Sequence, residues 1–143
     1  MPGRQTHATK TGVLDTVELL VTRSASGYAE TTKRLIEAFT SRGLAVFARI
    51  DHAAAAREVG LELAAEEVLI FGSPQAGTPL MQSDPRIGVE LPLRMLIWTD
   101  GDGTMLGYND PRGLATRYDV DPHRATLELM SRLLAELAAE VAR

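Results

Sequence analysis

The stretch LRMLIWTDGDGTMLGY, Leu93 to Tyr108, consists of two apolar runs, Leu93–Thr99 and Met105–Tyr108, flanking Asp100-Gly101-Asp102-Gly103. Glycine supplies the positive φ that a two-residue turn needs, so the stretch predicts an antiparallel hairpin. Upstream of it, strands alternate with helices; such a hairpin after an alternating half argues against a purely parallel, doubly wound sheet. The predicted class is therefore α+β, with a mixed, largely antiparallel sheet and helices packed on one face.

Working back from the hairpin, Gly72–Pro92 holds four prolines and three glycines with Leu80, Met81, Ile87, Val89 and Leu91 between them, and shows no sustained period. It reads as a long connection, and long connections are usually functional surfaces or interfaces. Before it, Val68-Leu69-Ile70-Phe71 is a continuous apolar run, as in a central strand. His52–Val59 reads as a short helix capped by Asp51 and stopped by Gly60. Leu44–Asp51 alternates like a half-buried strand. Tyr28, Leu35, Ile36 and Phe39 fall on one face of a helix that Ser26 and Gly27 start and Gly43 ends. Val13–Val21 reads as the first strand, and residues 1–12 as a flexible leader to a single domain spanning 13–143.

Downstream of the hairpin, Asp110-Pro111 and Asp121-Pro122 each place a cap and a first-turn proline, starting a short helix and then a long one. In the long one Leu127, Met130, Leu134, Leu137 and Val141 make a stripe that Leu129 and Leu133 broaden, wide enough to lie against a sheet or another subunit. The predicted order is β-α-β-α-β-loop-β-β-α-α.

The 143 residues carry a formal charge of −4, and their basic side chains are scattered, which argues against nucleic-acid binding. No cysteine is present, so thiol nucleophiles, disulfides and Cys-based metal sites are excluded. No apolar run approaches the roughly 20 residues of a membrane span. These features lead to the expectation of a cytoplasmic protein without membrane or nucleic-acid partners.

Gly72-Ser-Pro-Gln-Ala-Gly77-Thr78 has the glycine spacing of a phosphate loop but lacks its lysine, and prolines at 74 and 79 remove backbone donors. Asp100–Gly103 fails as a calcium loop, because aligning its second glycine puts Trp98 at the first ligand position. No Gly-x-Ser-x-Gly elbow exists for serine hydrolysis. What remains is a set of polar or soft side chains: His52 at a helix start, Ser73 and Thr78 after a buried strand, Met81, and Glu90 between Val89 and Leu91. Glu90 either pairs with Arg94 or Arg86, or joins a neutral His52 as an acid–base couple. A metal site lacks ligands at a recognisable spacing.

The strings Ile50-Asp51-His52, Phe71-Gly72-Ser73-Pro74, Gly77-Thr78-Pro79-Leu80-Met81, Glu90-Leu91-Pro92-Leu93 and Tyr108-Asn109-Asp110-Pro111 stand in an order that resembles the bacterial and archaeal family catalogued as domain of unknown function 302. The resemblance spans Val17 to the C-terminus. It implies a compact α+β fold assembled as a homodimer, and it carries no catalytic residue. Where this chain has Ser73, the family commonly has Asn.

Three functional expectations follow. The first is a homodimeric small-ligand-binding domain, its pocket lying between the 72–92 segment and the helix beginning at His52 and lined by His52, Ser73, Thr78, Met81 and Glu90; the cofactor, if one is bound, is left unspecified. The second is an enzyme using His52 and Glu90 as acid and base. The third is a structural or interaction module in which the 72–92 apolar residues bury against a second subunit, with a Met81/His52 haem binder as a variant.

Overall fold

The structure is a computed structural model describing residues 4–8 and 14–143, with side chains from residue 19 onward. Six strands form one sheet: β1 (Arg4–Ala8), β2 (Leu14–Ser24), β3 (Ala45–Asp51), β4 (Glu66–Gly72), β5 (Leu93–Asp100) and β6 (Gly103–Asn109). Their order across the sheet is β1-β2-β6-β5-β4-β3, and every described pairing is antiparallel. The helices are α1 (Tyr28–Ser41), α2 (His52–Glu58), α3 (Pro74–Ser83) and α4 (Arg124–Ala142). The class and element order agree with the sequence reading. Arg4–Ala8, within the stretch read as a leader, pairs with β2; the rest of that stretch and Val13 lie outside the described residues.

The hairpin forms as its sequence dictates. Asp100 pairs with Gly103, Gly101 takes φ +64°, and Asp102 stays at negative φ, the pattern of a two-residue turn with glycine first. Gly43, at φ +69°, likewise lets the chain leave α1.

One sheet face carries the core. Leu69, Phe71, Met95 and Ile97 of the central strands, with Leu106 of β6, are fully or almost fully buried under Leu35 and Phe39 of α1 and Leu127, Leu134, Leu137 and Val141 of α4. The Phe39 and Phe71 rings stack with centroids 4.0 Å apart. The broad α4 stripe is used here, although Leu129 remains exposed.

The 72–92 connection is not irregular throughout. Pro74 sits at the first helical position of α3, where its missing N–H costs nothing, and Pro79 is accommodated within the helix. A 3-10 turn, Pro85–Val89, follows, capped by the Asp84 side chain on the Arg86 N–H. Leu80 and Ile87 are fully buried in the core of this same chain. The expectation that the segment's apolar residues are reserved for a second subunit is corrected for these two.

Candidate functional site

At the end of the sheet where β5 begins, polar side chains tie the 72–92 segment to the chain before α4. Asp84 is buried and accepts two hydrogen bonds from the Arg86 guanidinium, 3.0 and 2.8 Å, and one from the Asp119 N–H, 2.9 Å. Arg86, then Asp119, holds its carboxyl well below the usual carboxylate range. The Arg86 guanidinium also lies over the Tyr118 ring, 5.9 Å from its centroid. Tyr118 donates a 2.8 Å hydrogen bond to Glu90, which raises the phenol pKa. Arg94 and Arg117 stand 3.8 and 3.9 Å from the same carboxylate. Glu90 is thus paired, and Arg94 is one of its partners as the sequence allowed; Arg86 pairs with Asp84 instead.

At the opposite end, Glu67 is buried on the helix-covered face and held by Arg49 through two hydrogen bonds, 2.7 and 3.2 Å. Tyr28, at the start of α1, has its pKa pushed up to about 12, first by burial and then by Glu67 and Asp51. Asp51 caps α2, accepting from the Ala54 N–H at 2.8 Å, and His52 is the exposed first residue of that helix. The Glu67–Arg49 pair was not singled out from sequence; adjacent alternating strands gave no signal of which residues meet across them.

Strand register separates the sequence-predicted site residues. His52 follows Asp51, which pairs with Glu67, whereas Glu90 precedes Leu93, which pairs with Phe71. The four residue steps from Glu67 to Phe71 alone span about 13 Å along the strand. His52 and Glu90 therefore stand off opposite ends of the sheet, beyond the reach of a common substrate atom in one chain. Ser73, Thr78, Met81 and Glu90 share the other end. Ser73 is the N-cap residue of α3 without a side-chain cap hydrogen bond, and Thr78 is exposed. Met81 is packed along the segment itself, its sulfur against Gly88 and its methyl near Gly77. A pocket joining His52 to the 72–92 segment, and a haem held by His52 and Met81 of one chain, both lose their geometry.

The other sheet face gathers residues from five strands into rows. Val21, Gly107, Leu96, Val68 and Ile50 are successive register partners and form one wholly apolar row across β2, β6, β5, β4 and β3. Beside it run Arg23, Met105, Trp98 and Glu66. On the other side, Leu19 pairs with Asn109 and Arg94 pairs with Ile70, which pairs with Ala48. Gly107 is required by its neighbours, since a Cβ there would stand 2.9 Å from the Trp98 ring and 3.0 Å from Leu19. Phe47, at the irregularity between Val46 and Ala48, reaches toward Gly72 and is half exposed. Val21 and Ile50 are each 42% exposed, and Leu96, Val68, Ile70, Trp98 and Met105 are partly so. The face that the helices leave uncovered thus carries a contiguous apolar row partly open to water.

Fold and surface together define a two-layer α+β domain with helices covering one face of an antiparallel sheet. The model of the family described as "Domain of unknown function DUF302" matches residues 20–137, and the chain belongs to that family. It is similar to a solved structure described as the crystal structure of uncharacterized conserved protein DUF302 from Bacillus stearothermophilus, with a TM-score of 0.77 at 20% identity, covering 87% of this chain and 98% of that one. It is also 46% identical over 103 residues to a protein named Fluoride-specific ion channel FluC 1 from Brucella suis biovar 1 (strain 1330), covering 71% of this chain and 41% of the relative. Relatives from Brucella abortus biovar 1 (strain 9-941), named FluC 1, and Brucella melitensis biotype 1 (strain ATCC 23456 / CCUG 17765 / NCTC 10094 / 16M), named FluC 2, match at the same identity and cover 38% of their own length. The chain thus spans about two fifths of the length of these curated relatives. Among the described residues no helix is long and apolar enough to cross a membrane.

Proposed function

We propose that this chain is a homodimeric assembly domain whose working surface is the open sheet face. The observation that carries this reading is the unbroken apolar row Val21–Gly107–Leu96–Val68–Ile50, partly exposed to water in a single chain. Burying such a row against a second copy removes apolar area from water on both partners at once, at roughly 25 cal/mol per Å² before the costs of association are met. In the proteins named as fluoride channels, the matching segment is a minority of the chain, and what it shares with this protein contains no helical span among the described residues. We read it as an accessory domain that pairs longer chains, not as the part that conducts an ion. The enzyme reading has no comparable support, because its two proposed groups stand off opposite ends of the sheet.

Sedimentation velocity tests the reading. The wild-type chain is expected to sediment as a dimer, and Leu96→Asp or the milder Val21→Lys as a monomer of unchanged circular dichroism. A monomeric wild type refutes dimerisation, and a dimer indifferent to both substitutions moves the interface elsewhere.

A further inference from the structure

Resting on the proposed sheet-face dimer, we infer its symmetry: the second copy is seated about a two-fold axis that runs parallel to the strands, midway between β5 and β6. The sheet order β1-β2-β6-β5-β4-β3 has its midpoint there, so this axis lays β2 over the partner's β4 and β6 over the partner's β5, the four strands that form the overlap; β1 pairs only with Leu14–Glu18 and leaves Ile50 outside it.

The charges on the face select this axis. In the row Arg23–Met105–Trp98–Glu66, opposite charges stand at opposite ends. Rotation about a strand-parallel axis exchanges the ends of each row. Arg23 then faces Glu66 of the partner subunit, and Met105 faces the partner's Trp98, a sulfur–aromatic contact. By the same operation Val21 meets the partner's Val68 and Leu19 the partner's Ile70, while Asn109 meets the partner's Arg94. Arg23 and Glu66 are thereby matched twice, once on each side of the axis, and the apolar groups of the four overlapping strands meet apolar ones; Arg94, already beside Glu90 of its own chain, meets an amide.

The competing two-fold, perpendicular to the strands and centred on the apolar row, keeps each strand over its own copy and exchanges the outer rows. Arg23 would then face the partner's Leu19, and Glu66 the partner's Ile70. Both charges would lose water without gaining a counter-charge, which disfavours that arrangement. The Arg23 guanidinium lies across Gly103, 3.8 Å from the exposed Asp102, so it is already held near the sheet surface at the end of its row.

The chain has no cysteine, which permits a clean cross-linking test. Within one chain, Val21 and Val68 are three strand spacings apart, about 14 Å, whereas packed sheets lie about 10 Å from one another. A short bis-maleimide is expected to join a mixture of Val21→Cys and Val68→Cys chains into covalent dimers, and to leave Val21→Cys alone uncoupled. The perpendicular axis instead predicts coupling of Val21→Cys alone, because it sets Val21 opposite its own copy, and so the single-variant sample decides between the two. In parallel, Arg23→Glu and Glu66→Arg are each expected to weaken dimerisation about tenfold, and the double reversal to restore it. A wild-type dimer with Val21→Cys self-coupling, or with no rescue in the double reversal, overturns the axis and leaves the sheet-face reading standing. A wild-type monomer in the ultracentrifuge overturns both.

Discussion

Asp84 concentrates several constraints in one side chain. It is buried, caps the 3-10 turn, binds Arg86 by two bonds and accepts the Asp119 N–H. Its pKa in the folded chain is depressed, so its contribution to stability is present above the unfolded value of about 4 and is lost as pH falls below that toward the folded value. Asp84→Asn is expected to be less stable than wild type at neutral pH and to converge with it as pH drops from about 5 to about 2, read by denaturant melts at each pH. Parallel curves would show that another carboxylate governs acid unfolding. A second residue-scale expectation concerns Thr32, whose hydroxyl is buried without a hydrogen-bond partner. Thr32→Val keeps the shape and removes the orphan group, so it is expected to stabilise the chain by about 1 kcal/mol in a urea titration. Destabilisation would mean that the hydroxyl has a partner, such as a bound water.

At the scale of elements, α3 and the turn after it serve as part of the hydrophobic core. Leu80→Asp is expected to cost about 3 kcal/mol or more and to unfold the chain rather than only dissociate it, as a thermal melt would reveal. A folded monomer with an unchanged melt would restore Leu80 to an interface role. The sequence made this element hard to see for a physical reason: four prolines within 72–92 mask helical continuity, and only Leu80 of α3 is buried, so no apolar stripe develops. Where one face is buried along a whole element, as with Leu35 and Phe39 or Leu127 through Val141, spacing and end signals located the helix directly. The Asp100–Gly103 turn was equally legible, because its chemistry is local. The candidate surface was not. Leu96, Val68 and Val21 become one row only through pairings between distant segments, and β5 is apolar on alternate residues of both faces, so its pattern does not say which face stays open. His52 and Glu90 invite pairing from sequence for the opposite reason, since each is distinctive by itself and only register reveals their separation.

For the molecule as a whole, the open face contains its only tryptophan, Trp98, partly exposed beside Met105. Burial of that ring between two sheets would make its emission depend on concentration, and serial dilution is expected to shift it to the red as the pair separates. Emission constant through a dissociation seen by sedimentation would remove Trp98 from the contact. The two sheet edges bear on a different property. β3 is an edge strand, and its register slips between Val46 and Ala48 where Phe47 is inserted. Such a bulge twists the row of free N–H and C=O groups away from the line that an incoming strand would need. Growth by adding strand to strand is therefore blocked on that side, and the face-to-face pairing proposed above would leave no second such face for a third copy. The same slip that disturbs one ladder guards that edge against growth into a fibre.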